Sequence, residues 1–422
     1  MNDNKSKGLI WQRIRRLLNF VYNNKHSNFY RKKYALAKID IKKIKSLADF
    51  RLLTYLTREE LVNSPPADRL FLPRDKTFST YATSGTTNTP LVMYHQEYKF
   101  HPTVLNKLEK SGIKQTLVLR PAGIAGGNLK SWWSYPASQL IGDLQNLTLT
   151  AKLAKLAQVD SLNATATVCI YFSQYLKKEY DVGNIRILWL GGEYVSKEKL
   201  KLLKKLYPKA DPIIPFVSAE TLVRAYQCDY LSSKSPNLYH PMPDFYFEIL
   251  SGKKISEAGE GELVATTLDK ETPCPLIRYR TGDLVKIYSG KCNCGETQII
   301  ETLGRTAFDS LRIQGVTLHR KYLEKAAIKS GLWPAFDYQL HIFEKVTGSK
   351  IKIQLELHLL PKSPPQGSLL TITKEFSNQF LVTQNLTLTD LIQKDVFLPI
   401  KIVKAKNLES GYKQKLIIPH FS

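Results

Sequence analysis

Between about Thr80 and about Glu301 the chain alternates two kinds of text, and this limits its fold more than any other feature. Apolar, β-rich runs ("TLVLR", "IRILWL", "PIIPFV", "GELVATTL") are separated by runs of helical spacing ("AKLAKLAQV", "KEKLKLLKKLY"). Such alternation reads as α/β, with helices packed on sheets. After Asp309 the text changes. "KIKIQLELHLL" sets Ile351, Ile353, Leu355, Leu357 and Leu359 at a spacing of two, and "YQLHIF" precedes it across a "TGS" turn. A hairpin with one buried face fits that pattern. A helix near 370–381 and a strand near 398–403 follow. The expected architecture is a large α/β N-terminal domain with mixed sheets and helices, 1–309, and a small α+β C-terminal domain, 310–422. A chain of 422 residues with 43% apolar residues can build both cores.

The net charge of +24 raises the question of nucleic acid. It is spread along the chain: 310–422 holds 16 Lys/Arg against 8 Asp/Glu, and the remainder carries +16. With no basic tail and no nucleic-acid-binding signature, no specific nucleic-acid partner is expected. A basic surface attracts phosphorylated ligands, acidic proteins or anionic headgroups. The opening "LIWQRIRRLLNFVYNN" sets Ile10, Ile14, Leu17 and Val21 on one helical stripe, with Arg13, Arg15 and Arg16 largely off it. Such a helix packs on its own domain or lies on a membrane surface, so peripheral membrane association stays open. No apolar run reaches the roughly 18 residues of a membrane span. The N-terminus lacks the apolar core of a secretory signal. Five cysteines then read as a reducing cytoplasm.

The stretch "YATSGTTNTPLVMYH" places five small residues, Thr83, Ser84, Gly85, Thr86 and Thr87, ahead of an apolar run. They can form a tight loop whose N–H groups and hydroxyls converge on an anion, or a plain polar turn. The Gly-Lys-Ser/Thr ending of a Walker A loop is missing. Glu220 follows the small pair Ser218-Ala219 after an apolar run. At a strand's carboxyl end it suits Mg²⁺ on phosphate oxygens; at a helix start it would be an ordinary surface residue. Asp283 closes "RYRTGD", after an expected turn at Thr281-Gly282. Its carboxylate can accept from a ribose diol or pair with Arg278 or Arg280. Cys292 and Cys294 form a C-x-C-Gly knuckle, and Cys228 with His240 supplies two further donors of the kind zinc takes. Cys169 and Cys274 read as ordinary buried thiols. Trp132, Trp133 and Tyr135 read as pocket or core.

The order "TSGTT", "LGGEYVS", "PFVSAE", "PLIRYRTGD" and "GRTAFDSLRIQG" resembles the adenylate-forming superfamily. More narrowly it resembles the branch of phenylacetate–CoA ligases and CapK-like proteins of capsular polysaccharide pathways. The resemblance implies ATP-dependent activation of a carboxylic acid and transfer of the acyl group to the CoA thiol. A CapK-like alternative transfers it to an amine or hydroxyl, and a non-catalytic relative would only bind nucleotide. It also implies roles. Thr83–Thr87 become the phosphate loop, Gly192 and Glu193 the adenine-side loop, and Ser218, Ala219 and Glu220 the Mg²⁺-binding segment. Asp283 takes the ribose, Arg305 a phosphate or the ribose, Asp309 the hinge, and Lys413 the catalysis. The Cys228, His240, Cys292 and Cys294 set matches a structural Zn²⁺ layout of this branch. The chain departs from the pattern at Asn88, where a Gly is usual, and at Tyr412, which holds the ungapped position of the catalytic lysine. Lys413 recovers the match with one inserted residue; Lys415 leads into "LIIP" and reads as part of a strand.

Overall fold

The computed structural model describes residues 3–422 except 75–78, 83–90, 96–99, 121–136, 193–194, 196, 269–271, 306–309, 314–315, 348–349, 366, 383–385, 409–415 and 421–422. The chain divides into two compact units: Met1–Thr281 with Val285–Glu301, and Gly282–Leu284 with Thr302–Ser422. The boundary read after Asp309 falls among residues outside the described set.

In the first unit the helix Asp3–Tyr22 turns its apolar stripe inward. Ile14, Leu17, Leu18 and Val21 are buried with Tyr30, Tyr34, Phe50 and Phe71. That stripe is therefore spent on the unit's own core. Among the described residues no helix is long and apolar enough to cross a membrane.

A five-stranded parallel sheet runs in the order Ser138–Ile141, Gln115–Val118, Ser161–Ala164, Ile187–Leu190, Asp211–Ile213. The helices Leu147–Leu156, Ala166–Glu179 and Lys197–Leu206 connect its strands. "SLNA" and "ILWL" are buried at every position, as strands covered on both faces must be. Asn146 and Thr165 cap two of these helices, each side chain accepting a backbone N–H of the first turn.

The α/β alternation expected up to Glu301 stops at Ile213. "PIIPFV" contributes to two sheets: Asp211–Ile213 ends the parallel one, and Phe216–Ser218 begins another. This second sheet has eight strands. Their order is Lys254–Ser256, Phe245–Ser251, Gly259–Thr267, Tyr279–Ser289, Gln298–Arg305, Leu238–Pro241, Leu222–Tyr226, Phe216–Ser218. Adjacent strands here need only short turns, because the pairs Phe245–Ser251 with Gly259–Thr267 and Phe216–Ser218 with Leu222–Tyr226 are antiparallel. Leu162 and Leu188 of the parallel sheet share one core with Phe247, Leu263 and Val285 of the eight-stranded one.

The second unit is built on the hairpin read from the spacing-of-two pattern. Phe336–Thr347 pairs antiparallel with Lys350–Pro361, with Leu340 opposite Leu357 and Ile342 opposite Leu355. These four side chains are fully buried with Ile353 and Phe376. The expected helix runs Leu369–Gln379 and the expected strand Lys401–Lys404. "LIIP" enters the strand Ile417–His420, parallel to Phe336–Thr347. Thr281 and Gly282, expected as a turn, lie inside the strand Tyr279–Ser289.

Candidate functional site

Glu220 lies in the turn between Phe216–Ser218 and Leu222–Tyr226, at a strand's end but in the eight-stranded sheet and away from any helix start. It is 6% exposed, so the surface alternative does not hold. Its Oε1 accepts from Arg58 Nη1 at 3.1 Å and from the Tyr279 hydroxyl at 3.3 Å. Arg58 opens the helix Arg58–Asn63, whose start is fixed by a capping box. Thr57 Oγ1 accepts the Glu60 N–H, and Glu60 Oε2 accepts the Thr57 N–H at 2.8 Å. The sequence signature T-x-x-E was therefore legible, but not that it would aim Arg58 at a residue 162 positions away.

Beside this carboxylate, His95 Nε2 lies 2.7 Å from the Ala219 carbonyl oxygen. Burial holds the His95 pKa down at about 4, against the opposite pull of that carbonyl and of Glu220, so the ring is neutral near pH 7. Ser218 and Thr221 join their hydroxyls at 3.0 Å across the turn. Neither His95, Arg58 nor Tyr279 was singled out from the sequence.

Gly192 follows the strand Ile187–Leu190 with φ +92°, a conformation that suits glycine. A Cβ on Gly191 would come within 3.1 Å of Arg120 Nη2. The guanidinium of Arg120, also unforeseen, bonds Asn163 Oδ1 through Nε at 3.1 Å and Nη2 at 2.9 Å. Arg120, Asn163 and Gly191 thus meet at the carboxyl ends of three parallel strands, the edge where open α/β sheets take ligands.

Asp283 is buried on the strand Tyr279–Ser289. The ion pairs once open to it belong to others. Arg278 grips Glu248 through Nε at 3.0 Å and Nη2 at 3.1 Å, and Arg280 grips Glu262 at 2.6 Å. Arg305 ends the strand Gln298–Arg305. Thr83, Ser84, Gly85, Thr86, Thr87, Glu193, Asp309, Lys413, Trp132, Trp133 and Tyr135 lie outside the described residues. The strands Ser79–Ala82 and Val92–His95, which flank 83–90, form an antiparallel hairpin.

The four Cys and His residues come together. One donor atom from each of Cys228, His240, Cys292 and Cys294 falls within 4.8 Å of the others. Antiparallel pairing of Leu238–Pro241 with Leu222–Tyr226 brings His240 opposite Tyr226, two residues before Cys228. The knuckle closes through Gly295, at φ +93°, whose N–H bonds the Cys292 carbonyl at 2.9 Å. Cys228 Sγ lies 3.5 Å from His240 Nε2 and 3.5 Å from Cys292 Sγ, and Cys294 Sγ lies 3.3 Å from His240 Nε2. Tetrahedral zinc, with Zn–S about 2.3 Å and Zn–N about 2.0 Å, needs neighbouring donors about 3.5–3.8 Å apart. His240 Nδ1 lies 2.8 Å from the Gln298 carbonyl oxygen. That oxygen can only accept, so the proton sits on Nδ1 and the Nε2 lone pair faces the thiols, as a metal-ligating histidine requires. Burial drives the Cys228 thiol up to about 12. At Cys292 burial also raises the pKa, but N–H groups of Cys294 and Asn293 and the neighbouring thiols outweigh it and the net shift is downward. Cys169 and Cys274 are buried and take part in no disulfide.

No family model matches the chain. It is 25% identical to the phenylacetate-coenzyme A ligase of Escherichia coli K12 over 396 residues, covering 87% of this chain and 84% of that protein. To the Thermus thermophilus protein of the same name it is 26% identical over 343 residues, covering 76% and 74%. Among solved structures it matches 2-hydroxyisobutyryl-CoA ligase, in the postadenylation state with R3-HIB-AMP, at a TM-score of 0.72 and 17% identity, over 100% of this chain and 90% of that one. The chain is thus similar in sequence to phenylacetate-coenzyme A ligases and in fold to 2-hydroxyisobutyryl-CoA ligase.

Proposed function

We propose that this protein activates a carboxylic acid with ATP as an acyl-adenylate and passes the acyl group to the thiol of CoA. The observation that carries this reading is the likeness to phenylacetate-coenzyme A ligases along 87% of the chain, joined to a buried carboxylate at Glu220. In the first step an oxygen of the acid's carboxylate attacks the α-phosphorus of ATP. The bond to the bridging oxygen breaks and pyrophosphate leaves. In the second, the CoA sulfur attacks the acyl carbon, AMP departs with the electron pair, and the thiol proton goes to solvent.

Positioning and charge neutralisation account for most of such a reaction. Thr83–Thr87 would donate to the phosphates, Asp283 would accept from the ribose hydroxyls, and Gly192-Glu193 would pack on the adenine. Arg305 would meet a phosphate or the ribose. Lys413, on the C-terminal unit, would neutralise the charge that grows at the α-phosphate, and that unit would act as a lid hinged at Asp309. Mg²⁺, when bound, supplies charge to the leaving pyrophosphate. Glu220 fits it as a single buried carboxylate ligand, since Mg²⁺ in phosphoryl sites takes one or two carboxylates and fills the rest with phosphate and water. Arg58 and Tyr279 would hold that carboxylate in place.

Cys228, His240, Cys292 and Cys294 fit one structural Zn²⁺, which would tie Leu238–Pro241 to the knuckle. All four ligand positions would be filled by protein, leaving none open for substrate.

Incubation with ATP, Mg²⁺, CoA and a panel of aryl, fatty and amino acids tests the reading. AMP and an acyl thioester should appear together with one class of acid. ATP turnover without thioester would point to another acyl acceptor, and no AMP with any acid would contradict the reading.

A further inference from the structure

We propose that His95 is a positioning residue for the Glu220 carboxylate, acting through its bond to the Ala219 carbonyl. The inference rests on the reading of Glu220 as the Mg²⁺ ligand. His95 closes the strand Val92–His95, in the hairpin that flanks residues 83–90, and Ala219 immediately precedes Glu220. The 2.7 Å contact therefore joins two segments 124 residues apart, the two to which the nucleotide's phosphates and metal are assigned.

Three observations make this contact a strut and not an incidental contact. First, the ring is fixed. His95 is buried, and Tyr81 meets it edge-on with centroids 5.3 Å apart and planes at 77°. Second, its strand is fixed from the other side. The buried Arg69 donates through Nη2 to the Val92 carbonyl at 2.9 Å and through Nη1 to Met93 Sδ at 3.1 Å. Third, the turn it holds is not relaxed. Leu222 sits at φ +55°, a left-handed conformation that a leucine keeps only where its surroundings enforce it.

The acceptor is a backbone carbonyl, so Nε2 must carry the hydrogen. Any replacement that donates from that point keeps the strut, and any that does not removes it. Arg58 and Tyr279 grip the carboxylate itself at Oε1, whereas His95 sets the backbone from which it projects. Losing the strut shifts the ligand oxygen while leaving its charge in place. The effect should fall on the response to Mg²⁺ and spare binding of the nucleotide body.

The test compares the parent with His95→Phe, which keeps a ring but cannot donate, and His95→Gln, whose amide can. ATP affinity is measured by calorimetry with and without Mg²⁺, together with the Mg²⁺ concentration for half-maximal adenylate formation. His95→Phe should raise that concentration about tenfold and cut the Mg²⁺-dependent gain in ATP affinity about tenfold, the loss of one ordinary hydrogen bond. Metal-free ATP affinity should stay the same, and His95→Gln should recover most of the loss. If His95→Phe does not fold, His95→Leu serves under the same expectation. A folded His95→Phe or His95→Leu with the parent's Mg²⁺ response overturns the proposal and leaves the Glu220 reading standing. So does a His95→Gln no better than His95→Phe. A parent whose ATP affinity ignores Mg²⁺ overturns both.

Discussion

The sulfurs of Cys228 and Cys292 stand 3.5 Å apart across 64 residues of sequence. With His240 and Cys294 they form a donor set whose spacing suits a tetrahedral metal and whose histidine is oriented by the Gln298 carbonyl. The purified protein should carry one zinc per chain by elemental analysis. Cys292→Ser should lower zinc content to a small fraction and reduce thermal stability, while metal-free protein should regain its melting temperature on zinc addition. Zinc-free protein as isolated, insensitive to added zinc, contradicts the assignment.

Two histidines, the buried His95 and the half-buried His319, make stability depend on pH. Burial depresses His95 to about 4, and His319 likewise to about 4 with Lys321 adding to the effect. A histidine whose folded pKa lies below its unfolded value of about 6.5 stabilises the fold fully above that value. As pH falls from about 6.5 toward 4 the unfolded chain takes protons the folded one refuses, and stability is lost. The loss at His95 alone should be about 3 kcal/mol by pH 4. Urea unfolding at pH 7, 6 and 5 should show a falling midpoint with a shallower decline in His95→Gln. A midpoint that holds constant down to pH 5 would rule the effect out.

Arg278 and Glu248 are 2% and 0% exposed and joined by two hydrogen bonds. The same guanidinium donates to the carbonyls of Arg51 and Leu53 and lies 4.4 Å from the Tyr55 ring centroid. Glu248→Gln leaves this cation buried without its counter-charge. The expected cost is about 3–5 kcal/mol, read as a shift in denaturant midpoint. A change below about 1 kcal/mol would show that the carbonyls and the ring suffice.

How much of this could be read beforehand follows from the range of the interactions. The hairpin of Leu340, Ile342, Leu355 and Leu357 is written in local alternation, and so is the capping box at Thr57 and Glu60. The C-x-C-Gly knuckle likewise announces itself within four residues. What could not be read is which distant groups meet. Arg278 beside Asp283 in sequence suggested a pair, but its side chain lies against Glu248, 30 residues earlier. Thr281-Gly282 looked like a turn from composition alone, yet strand pairing overrides that preference. His95 and Arg58 gave no signal, because each gains its meaning from a partner more than a hundred residues away.

Asp283→Ala should weaken ATP binding by roughly 10- to 150-fold, the worth of a charge-assisted hydrogen-bond partner of about 1.5–3 kcal/mol. Binding of the acid and thermal stability should change far less. Calorimetric titration with ATP decides, and an unchanged affinity removes Asp283 from the ribose role.

Acid-dependent exchange of labelled pyrophosphate into ATP decides whether the protein forms an acyl-adenylate, because it reports that step without needing the acyl acceptor. Exchange should depend on Mg²⁺ and appear only with the right carboxylic acid. It should fall by about 10²-fold or more in Lys413→Ala, since a preorganised charge at the transferring phosphate is lost, while ATP affinity changes little. Full exchange in Lys413→Ala with loss in Lys415→Ala would move the catalytic lysine by two residues. No exchange by the parent protein with any aryl, fatty or amino acid, despite measurable ATP binding, would rule out adenylate formation and leave a nucleotide-binding protein without the chemistry.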